Sequence, residues 1–118
     1  MKSESAEQLR ETCFYCEALA RFIAHETLDS FRENLLLQFG VQKALENIGE
    51  SLGRVRKRDP AIAAKIYEIH RFVAVRNYIA HEYDGVDLGI VWRIATEEVS
   101  NLMASIATIL AEDGAEGK

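Results

Sequence analysis

Residues 35–55 read LLLQFGVQKALENIGESLGRV, and the spacing of their apolar members decides the fold class. Leu35, Leu36, Phe39, Val41, Leu45, Ile48, Leu52 and Val55 recur mostly at steps of three and four, the period that lines one face of an α-helix. Gly49 and Gly53 interrupt this helix. A glycine in a helix interior costs about 1 kcal/mol relative to alanine, so the pair predicts a neighbouring helix that comes in close.

Working outward, the same period persists. Upstream, a short helical turn is expected at Leu28–Asn34, with Thr27 or Asp29 able to cap its free N–H groups. Before it, Leu9, Cys13, Cys16, Ala20 and Ile23 mark a first helix over Ser5–Glu26. Downstream, Asp59-Pro60 is a boundary, because proline disfavours helix in the preceding residue and suits the first turn of the next. A third long helix is expected from there, with Ile62, Ile66, Ile69, Val73, Arg76, Ala80 and Tyr83 along one face, so that an arginine interrupts an apolar stripe. After Asp84-Gly85, Asp87 is a cap for a fourth helix that buries Val91, Ile94, Ala95, Leu102, Met103, Ile106, Ile109 and Leu110. Residues Glu112 to Lys118 read as a frayed polar end. Strand-like alternation is absent. The expectation is an all-α chain, an antiparallel four-helix bundle with an extra short helical turn between its first and second helices, forming one domain over residues 1–118.

Composition narrows the function. Apolar residues make up 48% and charged residues 28% of the 118, a balance that belongs to packed domains. No apolar run reaches the roughly 20 residues of a membrane span and the N-terminus lacks a secretory apolar stretch, so a cytoplasmic protein with reduced thiols is expected. The net charge of −5 argues against a protein that coats nucleic acid, and no binding to DNA is expected. Its distribution says more. Residues 41–80 carry eight basic and four acidic groups, a net of +4, whereas residues 1–40 net −3 and residues 81–118 net −6. A positive middle of this kind can seat a polyanion locally, or can be a solvated helix end at Arg54, Arg56, Lys57 and Arg58.

Arg76, Asn77 and His81 are the residues with chemistry in them. A neutral imidazole can take a proton from a ribose 2′-hydroxyl, and its protonated form can return one to the leaving oxygen. A guanidinium nearby can brace the charge that develops on the attacked phosphate, and the route needs no metal and no cofactor. Asn77 and His81, four apart, share a helix face, whereas Arg76 and His81, five apart, point about 140° away from each other on a regular helix. Either the long arginine curls around or a second subunit completes the site. The competing reading pairs Arg76 with Glu46 or Glu50 in a structural ion pair. Cys13-Phe-Tyr-Cys16 is half of a zinc site with no second half, and core packing is the stronger reading. Phe72 and Trp92 are core residues before they are base-stacking ones, and His25 and His70 have no evident partner.

The segment Arg76-Asn-Tyr-Ile-Ala-His-Glu-Tyr83 resembles the Arg-Asn-x-x-x-His-x-Tyr signature of HepT-like proteins in the HEPN superfamily. Val41-Gln-Lys-Ala-Leu-Glu-Asn-Ile-Gly-Glu50 is similar to that family's second-helix segment, and Tyr83-Asp-Gly-Val-Asp-Leu-Gly-Ile-Val-Trp92 to its loop and fourth-helix start. The likeness covers most of residues 35–110 in the right order, although His70–Val75 is longer and more helical than the family's pattern. It implies a metal-independent endoribonuclease toxin that works as a homodimer on RNA, with Arg76 and His81 catalytic and Asn77 assisting. It also implies a nucleotidyltransferase antitoxin of the MntA type that silences the toxin by placing AMP on Tyr83. An added phosphodiester there would repel and block an entering RNA phosphate. The alternative is a non-catalytic helical module that binds a nucleotidyltransferase and presents nucleotide or substrate to it.

Overall fold

A computed structural model describes the backbone of residues 1–82 and 84–116 and the side chains of residues 1–82 and 84–114. Helix α1 (Ser3–Ile23) leads through the short α2 (Leu28–Glu33) into α3 (Leu35–Arg58), the long central helix. Thr27 caps α2 in a reciprocal box with Ser30, and Asn34 caps α3 by accepting from the Leu37 N–H at 3.0 Å. Of the expected stripes, α1 buries Leu9 and Cys16 and α3 buries Val41, Leu45, Ile48, Leu52 and Val55, whereas Ala20, Leu35, Leu36 and Phe39 are exposed; α3 packs against α1 on one side and α5 on the other. Where α1 meets α3, the Thr12 and Ser51 hydroxyls lie 2.6 Å apart in the core; one donates to the other, which in turn donates to a carbonyl of its own helix. Both hydroxyls thereby satisfy themselves inside an apolar core.

The Asp59-Pro60 boundary holds, but the third helix is not continuous. It is divided into α4 (Pro60–Ala63) and α5 (Ile69–His81), with Glu68 between them in the left-handed region at φ 47°. The reason lies on another helix. Ser105 accepts the Tyr67 N–H at 3.0 Å and donates to the Lys65 carbonyl at 3.3 Å, so backbone groups that a continuous helix would pair within itself are held from outside. Ile66 and Ile69 are still buried, reached through a turn rather than a helix.

Asp87 caps the last helical run, accepting from the Ile90 N–H at 3.1 Å. That run comprises α6 (Leu88–Arg93), a π-helical segment at Ile94–Glu98 and α7 (Val99–Glu116), so helix extends past the frayed end expected from Glu112. In the π segment the Val99 N–H reaches the carbonyl of Ile94, five residues back. Thr96 contributes, since its hydroxyl takes the Trp92 carbonyl at 2.8 Å and competes with the backbone ladder. The four long helical runs form the expected antiparallel bundle around one apolar cluster, and among the described residues there is no strand. Phe72 and Trp92 belong to that packing, Trp92 against Phe31 at 5.1 Å between ring centres. So does Cys16, whose thiol is pushed up to about 12 by burial and by Cys13 and Glu17. Burial and Glu17 also raise Cys13, and both cysteines are free thiols.

Candidate active site on the outer face of α5

Helix α5 runs alongside α3 and comes in close at Gly49. A Cβ built there would stand 2.3 Å from the Arg76 Cβ and 2.7 Å from the Phe72 carbonyl oxygen, so only glycine lets the helices sit this near. Gly53, the second interruption in α3, has nothing within 4 Å of its missing side chain. Of the two glycines, one is a contact and the other is open.

The base of Arg76 is thus wedged against α3, and its guanidinium leaves along the surface. Nη1 donates to the Asn77 side-chain oxygen at 3.2 Å. Glu46 and Glu50 are not its partners: Glu50 is engaged by Arg54 at 3.4 Å, and among the described residues Arg76 makes no ion pair. Asn77 is exposed, and so is His81, the last residue of α5, which stands on Asn77's face of the helix. The arginine's head is therefore carried from the α3 side toward the face that holds His81, although no hydrogen bond joins the two. His81 makes no hydrogen bond among the described residues. Tyr83, the expected acceptor of AMP, lies outside the described residues.

Beyond His81 the chain turns over a cleft of about 410 Å³ lined by Gln38, Phe39, Gln42, Ile79, Glu82, Gly85, Val86 and Leu88. Tyr78 steadies this turn by accepting the Asp87 N–H at 2.8 Å. Elsewhere on α5, Arg71 bonds the carboxylate of Glu98 and lies 4.0 Å from Glu68. Glu98 is only 8% exposed and sits at the end of the π segment. Arg56 of α3 reaches His70 Nδ1 at 3.0 Å, which gives His70 the partner that sequence reading did not find. No spacing along α5 signals that partner, since it comes from the neighbouring helix. Among the described residues no group of three His, Cys, Asp or Glu could hold a metal ion, and no helix is long and apolar enough to cross a membrane.

An all-helical bundle with this strip on its third long run is of the HEPN kind. Within that class the chain belongs to the Ribonuclease HepT-like family, whose sequence profile matches residues 13–109. It is 27% identical to the Methanocaldococcus jannaschii protein named "Putative RNase MJ1380", over 69% of this chain and 73% of that one. It is 26% identical to "Putative RNase MJ1216" of the same organism, over 88% of this chain and 84% of its relative. No solved structure matches the chain significantly.

Proposed function

We propose that the chain is the toxin of a toxin–antitoxin pair, an endoribonuclease that needs no metal and cuts RNA with Arg76 and His81, assisted by Asn77. The observation that carries this reading is the Arg76 guanidinium, free of any described carboxylate and turned onto Asn77 on the face of His81. In the step envisaged, His81 takes the proton of a ribose 2′-hydroxyl. The 2′-oxygen bonds to phosphorus, the bond from phosphorus to the 5′-oxygen breaks, and a protonated imidazole returns a proton to that oxygen. Arg76 and Asn77 supply donors to the phosphate oxygens as charge builds on them. The products are a 2′,3′-cyclic phosphate and a 5′-hydroxyl. DNA lacks the nucleophile and is not a substrate.

The toxin acts as a homodimer with two such strips near one cleft. Supporting this are the exposed apolar side chains of Leu35, Leu36 and Phe39 at the start of α3 and of Phe22 at the end of α1, Leu36 being 83% exposed. An apolar patch of this kind on a small protein marks an interaction surface, and Phe39 also lines the cleft beside Glu82. A nucleotidyltransferase antitoxin of the MntA type restrains the toxin by transferring AMP to Tyr83, two residues from His81.

The deciding experiment incubates the purified protein, and its His81→Ala variant, with total cellular RNA in EDTA and maps the fragment ends. Cleavage by the parent alone, leaving 2′,3′-cyclic phosphates, is expected. Intact RNA in both, with the parent shown by mass to carry no AMP, would replace the nuclease with a module that presents nucleotide to a transferase.

A further inference from the structure

Helices α3 and α5 carry five arginines, and the four whose guanidinium bonds another side chain divide into two kinds. Arg54 holds Glu50 and Arg71 holds Glu98, so each has a carboxylate partner. Arg56 and Arg76 have none among the described residues, although the chain carries 19 acidic groups against 14 basic. Each bonds instead to a neutral side chain on the outer face of α5: Arg76 to Asn77, and Arg56 to His70. A guanidinium can only donate, so Nδ1 of His70 is the bare nitrogen and the ring proton sits on Nε2. The pair therefore keeps a full positive charge, with most of the arginine's donors and one imidazole donor still unused.

Its position matters as much as its charge. His70 and Asn77, seven residues apart, fall within about 20° on the helix wheel, and Asn77 and His81 within about 40°. With a rise of 1.5 Å per residue, His70 precedes Asn77 by about 10 Å, and His81 follows Asn77 by about 6 Å. All three are exposed. Beside this strip α3 presents Gly53, whose absent side chain has nothing within 4 Å, a bare stretch of backbone that no helix contact requires. The basic last turn of α3, Arg56, Lys57 and Arg58, complements the helix dipole. That effect accounts for charge at a helix end but not for the bond that ties Arg56 to α5.

We propose that Arg56 and His70 form a second phosphate-binding subsite, which holds a backbone phosphate of the RNA at the far end of the strip from His81. This rests on RNA being the ligand of the strip. A separation of about 10 Å from Asn77 is about three nucleotides along a stacked strand of 3.4 Å rise, so the subsite serves long RNA and lies beyond the reach of a dinucleotide. It fixes the direction and register of the strand and contributes nothing to the bond-making step.

The test uses the full chain in a His81→Ala background, which keeps the probe intact, and a fluorescein-labelled single-stranded RNA of mixed sequence, titrated across a range of salt. Arg56→Gln is expected to flatten the plot of log affinity against log salt by about 0.7, one phosphate contact on a single strand. Arg56→Lys should keep the slope, and Arg54→Gln, which removes an already neutralised charge, should change it less than Arg56→Gln does. An unchanged slope for Arg56→Gln, or an equal loss for Arg54→Gln, overturns the subsite. In the active chain, Arg56→Gln should lower kcat/KM for long RNA and leave dinucleotide cleavage as it was; an equal loss on both also overturns it. Binding is read without turnover. If the parent cuts no RNA while Arg56→Gln still loses slope, the nuclease reading falls and the subsite stands.

Discussion

Arg71 and Arg76 sit on the same helix five residues apart and have opposite surroundings. Arg71 bonds the buried carboxylate of Glu98 and has Glu68 near it, so its charge is spent holding the π segment of the last helical run against α5. Arg76 is wedged by its stem against Gly49 and holds out a guanidinium whose only described partner is the amide of Asn77. An arginine neutralised inside the fold stabilises it; one that meets no carboxylate among the described residues keeps its charge for a ligand. The identity of the residue does not separate these roles, whereas the partner does.

The widest separation of the two regions should come from kinetics. His81→Ala is expected to lower RNA cleavage by about 10²–10⁴-fold, the usual contribution of a positioned proton-transfer group, and Arg76→Ala by about 10²–10³-fold, that of a charge-stabilising donor. Neither should shift the thermal midpoint much, because His81 is exposed and Arg76 leaves no buried charge behind. Arg71→Ala should do the reverse. Stranding a buried carboxylate costs about 3–5 kcal/mol, but Arg71 is half exposed and surface pairs contribute about 1 kcal/mol or less, so a loss of about 2 kcal/mol is expected in a melt, with cleavage at low temperature unchanged. If Arg76→Ala destabilised the fold while Arg71→Ala abolished cleavage, the two roles would have to be exchanged.

The sequence revealed the bundle because its helices are amphipathic and their ends carry local signals: Thr27, Asp59-Pro60 and Asp87 all cap or bound helices where they were expected to. What it hid was set by distant partners. The break between α4 and α5 depends on Ser105, some forty residues on, and a continuous Ile62, Ile66, Ile69 stripe gave no warning of it. The candidate site was half visible. Spacing put Asn77 and His81 on one face and raised the problem of Arg76 pointing elsewhere; the course of the guanidinium, the Arg71–Glu98 pair and the Arg56–His70 pair required knowing which helices are neighbours.

A smaller effect, and one that touches both regions, is expected at Gly49. Its replacement by alanine puts a methyl group against the Arg76 Cβ and the Phe72 carbonyl, and a backbone oxygen cannot swing aside as a side-chain tip can. Overpacking of this kind costs about 1–3 kcal/mol. Since the arginine stem is what the methyl meets, cleavage should fall along with stability, unlike in Arg71→Ala. Full activity in a destabilised Gly49→Ala protein would mean that the placement of the Arg76 stem is immaterial to the site.

Gly53 supplies the counterpart, and it is the mildest of these changes. It lies one turn from Gly49 on the same helix, yet a Cβ there meets nothing within 4 Å. Alanine should therefore cost nothing sterically and recover the helix propensity that glycine forfeits, raising stability by up to about 1 kcal/mol in denaturant unfolding. A stabilising Gly53→Ala beside a destabilising Gly49→Ala would show that α5 presses on the α3 backbone at the Arg76 wedge and leaves it open one turn later. A loss at both positions would mean that the α3 backbone at Gly53 is as closely covered as at Gly49, and that the bare stretch beside the strip is absent.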